Sequence, residues 1–181
     1  MRAPRETLSF PSHSLKDRRS TMTRSLQDII PGHCFGCGPL NSEGLQIKSF
    51  WLGDEVVCAW RAQPKHIGYP GILYGGVIAS VVDCHCIWTA MAYAHRQAGE
   101  EAGSLSAHKF VTAALSLQYR KPVHIENAIE LRARVVDFGE RKAVVQCTVH
   151  SANVLVVEAE VVVVRMRMPA EQPAATEAVA P

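Results

Sequence analysis

Residues 72–94, ILYGGVIASVVDCHCIWTAMAYA, are nearly all apolar, yet they carry Asp83 and His85. A carboxylate withdrawn from water is costly, so it is paired, protonated or set beside a cavity where it is used. On a helix the neighbours of Asp83 are Ala79, Ser80, Cys86, Ile87 and Ala90. Most of these are small and leave room for a ligand. His85 lies two positions on, roughly 200° around the helix axis, and cannot pair with Asp83. Its expected role is packing or an interface hydrogen bond.

Gly75 and Gly76 open the same segment. First-turn amides have no intrahelical acceptor, favour negative charge, and are left uncovered by glycine so that a carbonyl oxygen can approach. That chemistry suits the developing oxyanion of an acyl transfer. Eight residues of helix separate Asp83 from Gly75 by ~12 Å, too far for one helix to bring both groups to one carbonyl. A second copy of the helix, antiparallel across a two-fold axis, would unite them. The competing reading is that the glycines only permit close packing and that an arginine neutralises Asp83.

The surrounding pattern says what must hold this helix. Residues 44–52 and 55–62 alternate apolar and polar around Gly53-Asp54, the signature of a β-hairpin. A loop punctuated by Pro64, Gly68, Pro70 and Gly71 leads to a helix expected from Gly75 to about Arg96. His95 and Arg96 in its last turn and Gly99 beyond it are stop signals. Four strand-like runs follow, within 115–123, 128–137, 141–151 and 155–166. The order β-β-α-β-β-β-β predicts an α+β fold in which an antiparallel sheet wraps one long central helix.

The chain has 181 residues, 48% hydrophobic and 20% charged, as suits one globular domain with loose ends. Polar residues interrupt its longest apolar run, so a membrane span is not expected. Six basic against two acidic residues fall in the first 24 positions, leaving a slightly acidic remainder, unlike a nucleic-acid-binding domain. That first segment lacks the apolar stretch of a secretory signal; it reads as a disordered or transit-like tail, or as sequence upstream of a true start at Met22. The expected division is an extension over 1–32, partly disordered, a domain over 33–168, and a disordered Pro/Ala/Glu-rich tail over 169–181.

Six cysteines without an export signal point to a reducing, cytoplasmic setting. Cys34-x-x-Cys37 invites a zinc reading, but a structural site needs four ligands and there is no second such pair. The motif is read as a turn entering the first strand, and no metal is expected.

GYPGILYGGVIASVVD followed by VTAALSLQYRKPV resembles the hotdog-fold acyl-CoA thioesterases, in particular their phenylacetate-pathway-like branch. That family's motif reads His-Gly-Gly, six residues, then an acidic position. Here it is Tyr74-Gly75-Gly76, six residues and Asp83, and the later strand motif matches at Thr112, Tyr119 and Pro122. CFGCGPLNSEGL and DCHCIWTA are similar to a bacterial subgroup, and the likeness covers about residues 33–168. The resemblance implies that Asp83 is the nucleophile or the general base activating water. The Gly75 amide would polarise the thioester carbonyl from the partner subunit, and Thr112 would hydrogen-bond the catalytic water or Asp83. Coenzyme A would leave as the thiol, no bound cofactor would be required, and the assembly would be a homodimer or a dimer-of-dimers tetramer. Tyr74, Gly76 and His66 would line the substrate site. The charges of Arg120 and Lys121, at a strand end beside Pro122, suit either contact with the phosphates of coenzyme A or plain solvation.

This chain departs from the pattern twice. Tyr74 replaces the usual His and can donate a hydrogen bond but cannot act as a base near neutral pH. Gly68 stands where some members place an Asn, a role His66 would then cover. The alternative function is a non-catalytic acyl-CoA or acyl-ligand binding protein that lost turnover with the His. A hydratase is disfavoured because no Asp/His pair fits one.

Overall fold

The computed structural model describes residues 24–100 and 108–166. The tail expected over 169–181 and most of the extension expected over 1–32 lie outside the described residues. Residues 24–32 do not: a short 3-10 turn, Leu26–Ile29, packs on the domain with Leu26 and Gln27 buried.

The elements are β1 (Ser49–Leu52), β2 (Glu55–Trp60), α1 (Gly75–Gln97), β3 (Phe110–Tyr119), β4 (Ile129–Phe138), β5 (Lys142–Ser151) and β6 (Val154–Arg165). This is the expected order. The strands form one antiparallel sheet in the order β1-β2-β4-β5-β6-β3. The inward residues of β2, β4, β5 and β6, among them Val56, Leu131, Val145 and Val161, are fully buried in the core that receives α1.

The first strand is shorter than its alternation predicts. Gln46 adopts a left-handed φ of 52°, which breaks the extended run. Leu45 N–H and Ile47 N–H instead donate to the carbonyls of Phe35 and Gly36, at 2.7 and 3.1 Å. Residues 44–48 thus pair with the Cys34–Gly38 loop, and strand pairing starts only at Ser49.

The sheet covers α1 on one side, and the Cys34–Gly38 loop and the Leu26–Ile29 turn cover more of it, which is why the helix is apolar nearly all round. Ile78, Val81, Val82, Cys86, Trp88 and Met91 are buried. Length and composition alone would let α1 cross a membrane, but 67% of its most apolar window is buried inside this fold. Several helix positions escape full cover by the described residues, among them Gly76, Ser80, Asp83 and Ile87, which are only partly buried. Their spacing of four, three and four residues puts them on one face.

Among the described residues β3 lies at the end of the sheet and pairs only with β6. Of its ten residues only Phe110 is buried. Its register against β6 slips at one point, where Thr112 faces Val163 and Ala114 faces Val162, so Ala113 bulges out.

Candidate active site

The start of α1 is set by the loop before it. Leu73 N–H donates to Val123 O and Tyr74 N–H to His66 O, each at 2.9 Å. Tyr74 is the N-cap residue in extended conformation, with φ −64° and ψ 126°. Its carbonyl accepts from Val77 N–H and Ile78 N–H. The amides of Gly75 and Gly76 find no acceptor among the described residues. The two glycines are not equivalent. A Cβ on Gly76 would lie 2.5 Å from the Tyr74 ring, which folds back over it, whereas a Cβ on Gly75 would meet Tyr119 at an ordinary 3.5 Å.

Tyr119 closes the other side of this half-site. Its hydroxyl donates to Gly75 O at 2.7 Å. Burial raises the pKa of that phenol, and the neighbouring Tyr74 adds to the effect, so it is a donor at neutral pH. A cavity of about 280 Å³ opens here, lined by Gly75, Ile78, Tyr119, Arg120, Lys121 and Pro122 among others. The guanidinium of Arg120 is engaged by Glu158, its Nε donating at 2.7 Å, and by Gln118. Lys121 is exposed and makes no ion pair among the described residues.

Asp83 forms the second half-site. Its Oδ1 accepts a hydrogen bond from the Thr112 hydroxyl. It makes no ion pair among the described residues, and no arginine among them neutralises it. The carboxylate sits on the incompletely covered face of α1.

The flanking histidines are otherwise occupied. His85 is fully buried: Nε2–H donates to Val56 O at 3.1 Å, and Nδ1 accepts from the Ser49 hydroxyl at 2.8 Å. Burial pulls its pKa down to about 4, so it is a neutral structural group, held further by Gln27 bonded twice to Ser49. His66 caps its own short turn, Nδ1 accepting from Gln63 N–H at 3.0 Å, and its ring stacks on Trp60. Burial lowers its pKa as well. Its side chain is thus committed to the loop that positions Tyr74.

The structure therefore gathers Tyr74, Gly75, Gly76, Arg120 and Lys121 at one end of α1, and Asp83 with Thr112 about two turns away. Tyr119 belongs to the first group although the sequence motif assigned it no role in the site. Its approach to Gly75 depends on the bulge in β3, for which the sequence carries no signal.

Comparison with known proteins places the chain in a family. The family model described as Thioesterase superfamily matches residues 70–158, which include every candidate site residue except His66. A thioesterase superfamily protein of solved structure from Shewanella loihica is 31% identical, with 75% of this chain and 96% of that one covered, at a TM-score of 0.58. The phenylacetic acid degradation protein PaaI from Thermus thermophilus, a mutant in that structure, shares the fold at 24% identity, a TM-score of 0.51, and coverage of 67% and 95%. Acyl-coenzyme A thioesterase THEM4 of Rattus norvegicus is 23% identical over 146 residues, 80% of this chain, but this chain spans only 52% of its length. With its six-stranded antiparallel sheet around one long helix, the chain belongs to the thioesterase superfamily and has the hotdog fold.

Proposed function

We propose that the protein hydrolyses an acyl-CoA thioester to the free acid and coenzyme A. The observation that carries this reading is Asp83 itself: a carboxylate bonded by Thr112, without an ion pair among the described residues, on a face of α1 that those residues leave partly open. A carboxylate in that setting serves as nucleophile or as general base toward water. As base, it takes a proton from water while the new C–O bond forms; the C–S bond then breaks, and the departing sulfur takes that proton from Asp83 and leaves as the thiol, restoring the carboxylate. The Gly75 amide, at the positive end of α1, would stabilise the oxyanion in between.

Two copies are part of the proposal. The free edge of β3 offers unpaired backbone groups, and Val111, Leu115 and Tyr119 on it are exposed apolar residues. Antiparallel pairing of this edge about an axis near its middle would set Thr112 and Asp83 of one protomer against Tyr119 and Gly75 of the next. Arg120 and Lys121, at the same end as Gly75, would meet the phosphates of coenzyme A, with Lys121 the more available. A dimer, alone or paired into a tetramer, in a reducing cytoplasmic setting completes the reading; all six cysteines are unpaired.

The test is a panel of aliphatic and aromatic acyl-CoAs with a thiol reagent. Thiol release by the native chain and none by Asp83→Asn supports hydrolysis; no release above that control across the panel overturns it. A single turnover in heavy-oxygen water then separates the two roles, since label in the Asp83 carboxylate marks a nucleophile. One observation favours a second reading. The Tyr74 ring covers Gly76 where the family has His, which suits a protein that binds acyl-CoA without turning it over. Thermal stabilisation by acyl-CoA recovered intact would support that reading.

A further inference from the structure

Spacing alone leaves Cys34 and Cys37 without metal-binding partners, because Cys84 is 47 residues further on, in the middle of a helix. The fold removes that distance. The Cys34–Gly38 loop closes onto α1, and the sulfur atoms of Cys34, Cys37 and Cys84 all lie within 4.8 Å of one another. Cys34 Sγ and Cys84 Sγ are 3.8 Å apart. Tetrahedral zinc with Zn–S bonds of ~2.3 Å requires sulfur atoms ~3.8 Å apart, the same spacing.

The loop is built around the three sulfurs. Gly38 N–H donates to Cys34 O at 2.9 Å, closing the turn between the two cysteines, and Leu45 and Ile47 pin it from outside. A Cβ on Gly36 would lie 2.3 Å from Cys84 Sγ, so glycine there is what admits the third sulfur. Trp88, one turn beyond Cys84, donates its indole N–H to Cys37 Sγ at 3.1 Å. Such donors to a ligand sulfur orient and support thiolates around a metal. Cys37 and Cys84 are buried and Cys34 is exposed, which leaves a fourth position toward solvent, beside the exposed His33.

We propose that Cys34, Cys37 and Cys84 bind a thiophilic divalent cation of the zinc class, its fourth position filled by water or His33. Three soft sulfurs select such an ion over magnesium or calcium. The ion would tie residues 32–47 to α1 at the residue that follows Asp83. Its role is structural, since it touches no reacting atom, and the inference does not depend on the thioesterase reading.

The test uses the full chain, purified under reductant without chelator. Elemental analysis should find about one zinc per chain. Exchange into cobalt should give a thiolate-to-cobalt charge-transfer band and the visible spectrum of a tetrahedral ion. Cys34→Ser, at an exposed position, should fold normally and hold zinc more than about tenfold more weakly in competition with a chromophoric chelator. His33→Ala tells the two sources of the fourth ligand apart, weakening binding only if the imidazole supplies it. Folded, reduced protein that carries no zinc and gives no cobalt band overturns the proposal. Undiminished uptake by a Cys34→Ser, Cys37→Ser double variant, or a disulfide among the three cysteines in protein kept from oxidants, also overturns it.

Discussion

Thr112 and Tyr119 both hydrogen-bond α1, to Asp83 and to the Gly75 carbonyl, although they stand seven residues apart on one strand. In an unbroken strand an odd separation puts two side chains on opposite faces. The bulged residue Ala113 resets the alternation, so Phe110 and Thr112 before it, and Leu117 and Tyr119 after it, share the helix-facing side. The bulge thus lets one edge strand serve both half-sites.

Gly75→Pro removes the one amide proposed to polarise the carbonyl. The site tolerates it: Gly75 is the first helical residue, Tyr74 before it is already extended, and a side chain there makes ordinary contact with Tyr119. We expect a melting temperature close to wild type and kcat lower by about 10²–10³-fold. Steady-state kinetics on the best acyl-CoA of the panel, alongside thermal unfolding, checks both.

Thr112→Val keeps the shape of the side chain and deletes its hydrogen bond to Asp83. A bond to a charged group contributes about 1.5–3 kcal/mol, so kcat should fall by about tenfold to a hundredfold. KM should change little. Thr112→Ser, which keeps the hydroxyl, should retain most of the activity.

His85 makes stability depend on pH. Its folded-state pKa is about 4, below the 6.5 of the unfolded chain, because burial disfavours the cation. Between those values the unfolded state binds more protons, so stability is full above pH 6.5 and is lost as pH falls toward 4. The loss is on the order of 3 kcal/mol. His66 and His150, also lowered mainly by burial, act in the same direction. Chemical denaturation at about pH 7.5, 6 and 5 should show the midpoint falling, with a shallower slope in His85→Gln.

The turn between β5 and β6 holds Ala152 and Asn153 at left-handed φ values of 48° and 63°. Asn adopts that conformation readily and Ala does not. Ala152→Gly should therefore raise unfolding stability by about 0.5–1 kcal/mol, and Ala152→Val should lower it; urea midpoints decide.

Order and type of every strand and of the helix were legible because each depends on local alternation or a continuous apolar run. Asp83 stood out for the same reason, as a charge inside such a run. What stayed hidden depends on contacts distant in sequence or on single backbone angles. The left-handed Gln46 that shortens β1 has no compositional mark. Nor does the bulge at Ala113, which brings Tyr119 to Gly75. The meeting of Cys84 with Cys34 and Cys37 exists only once the loop has folded over α1.

Hydrolysis as proposed requires Asp83 to work with the glycine amide of a neighbouring protomer, and mixing two inactive variants tests this most directly. In a mixed dimer of Asp83→Asn and Gly75→Pro, one of the two sites receives an intact Asp83 and an intact Gly75 from different chains. Subunit exchange or co-expression should then restore about a quarter of wild-type activity, since about half the dimers are mixed and each has one sound site. Continued inactivity, with mass spectrometry showing that mixed dimers had formed, would contradict a site shared between chains.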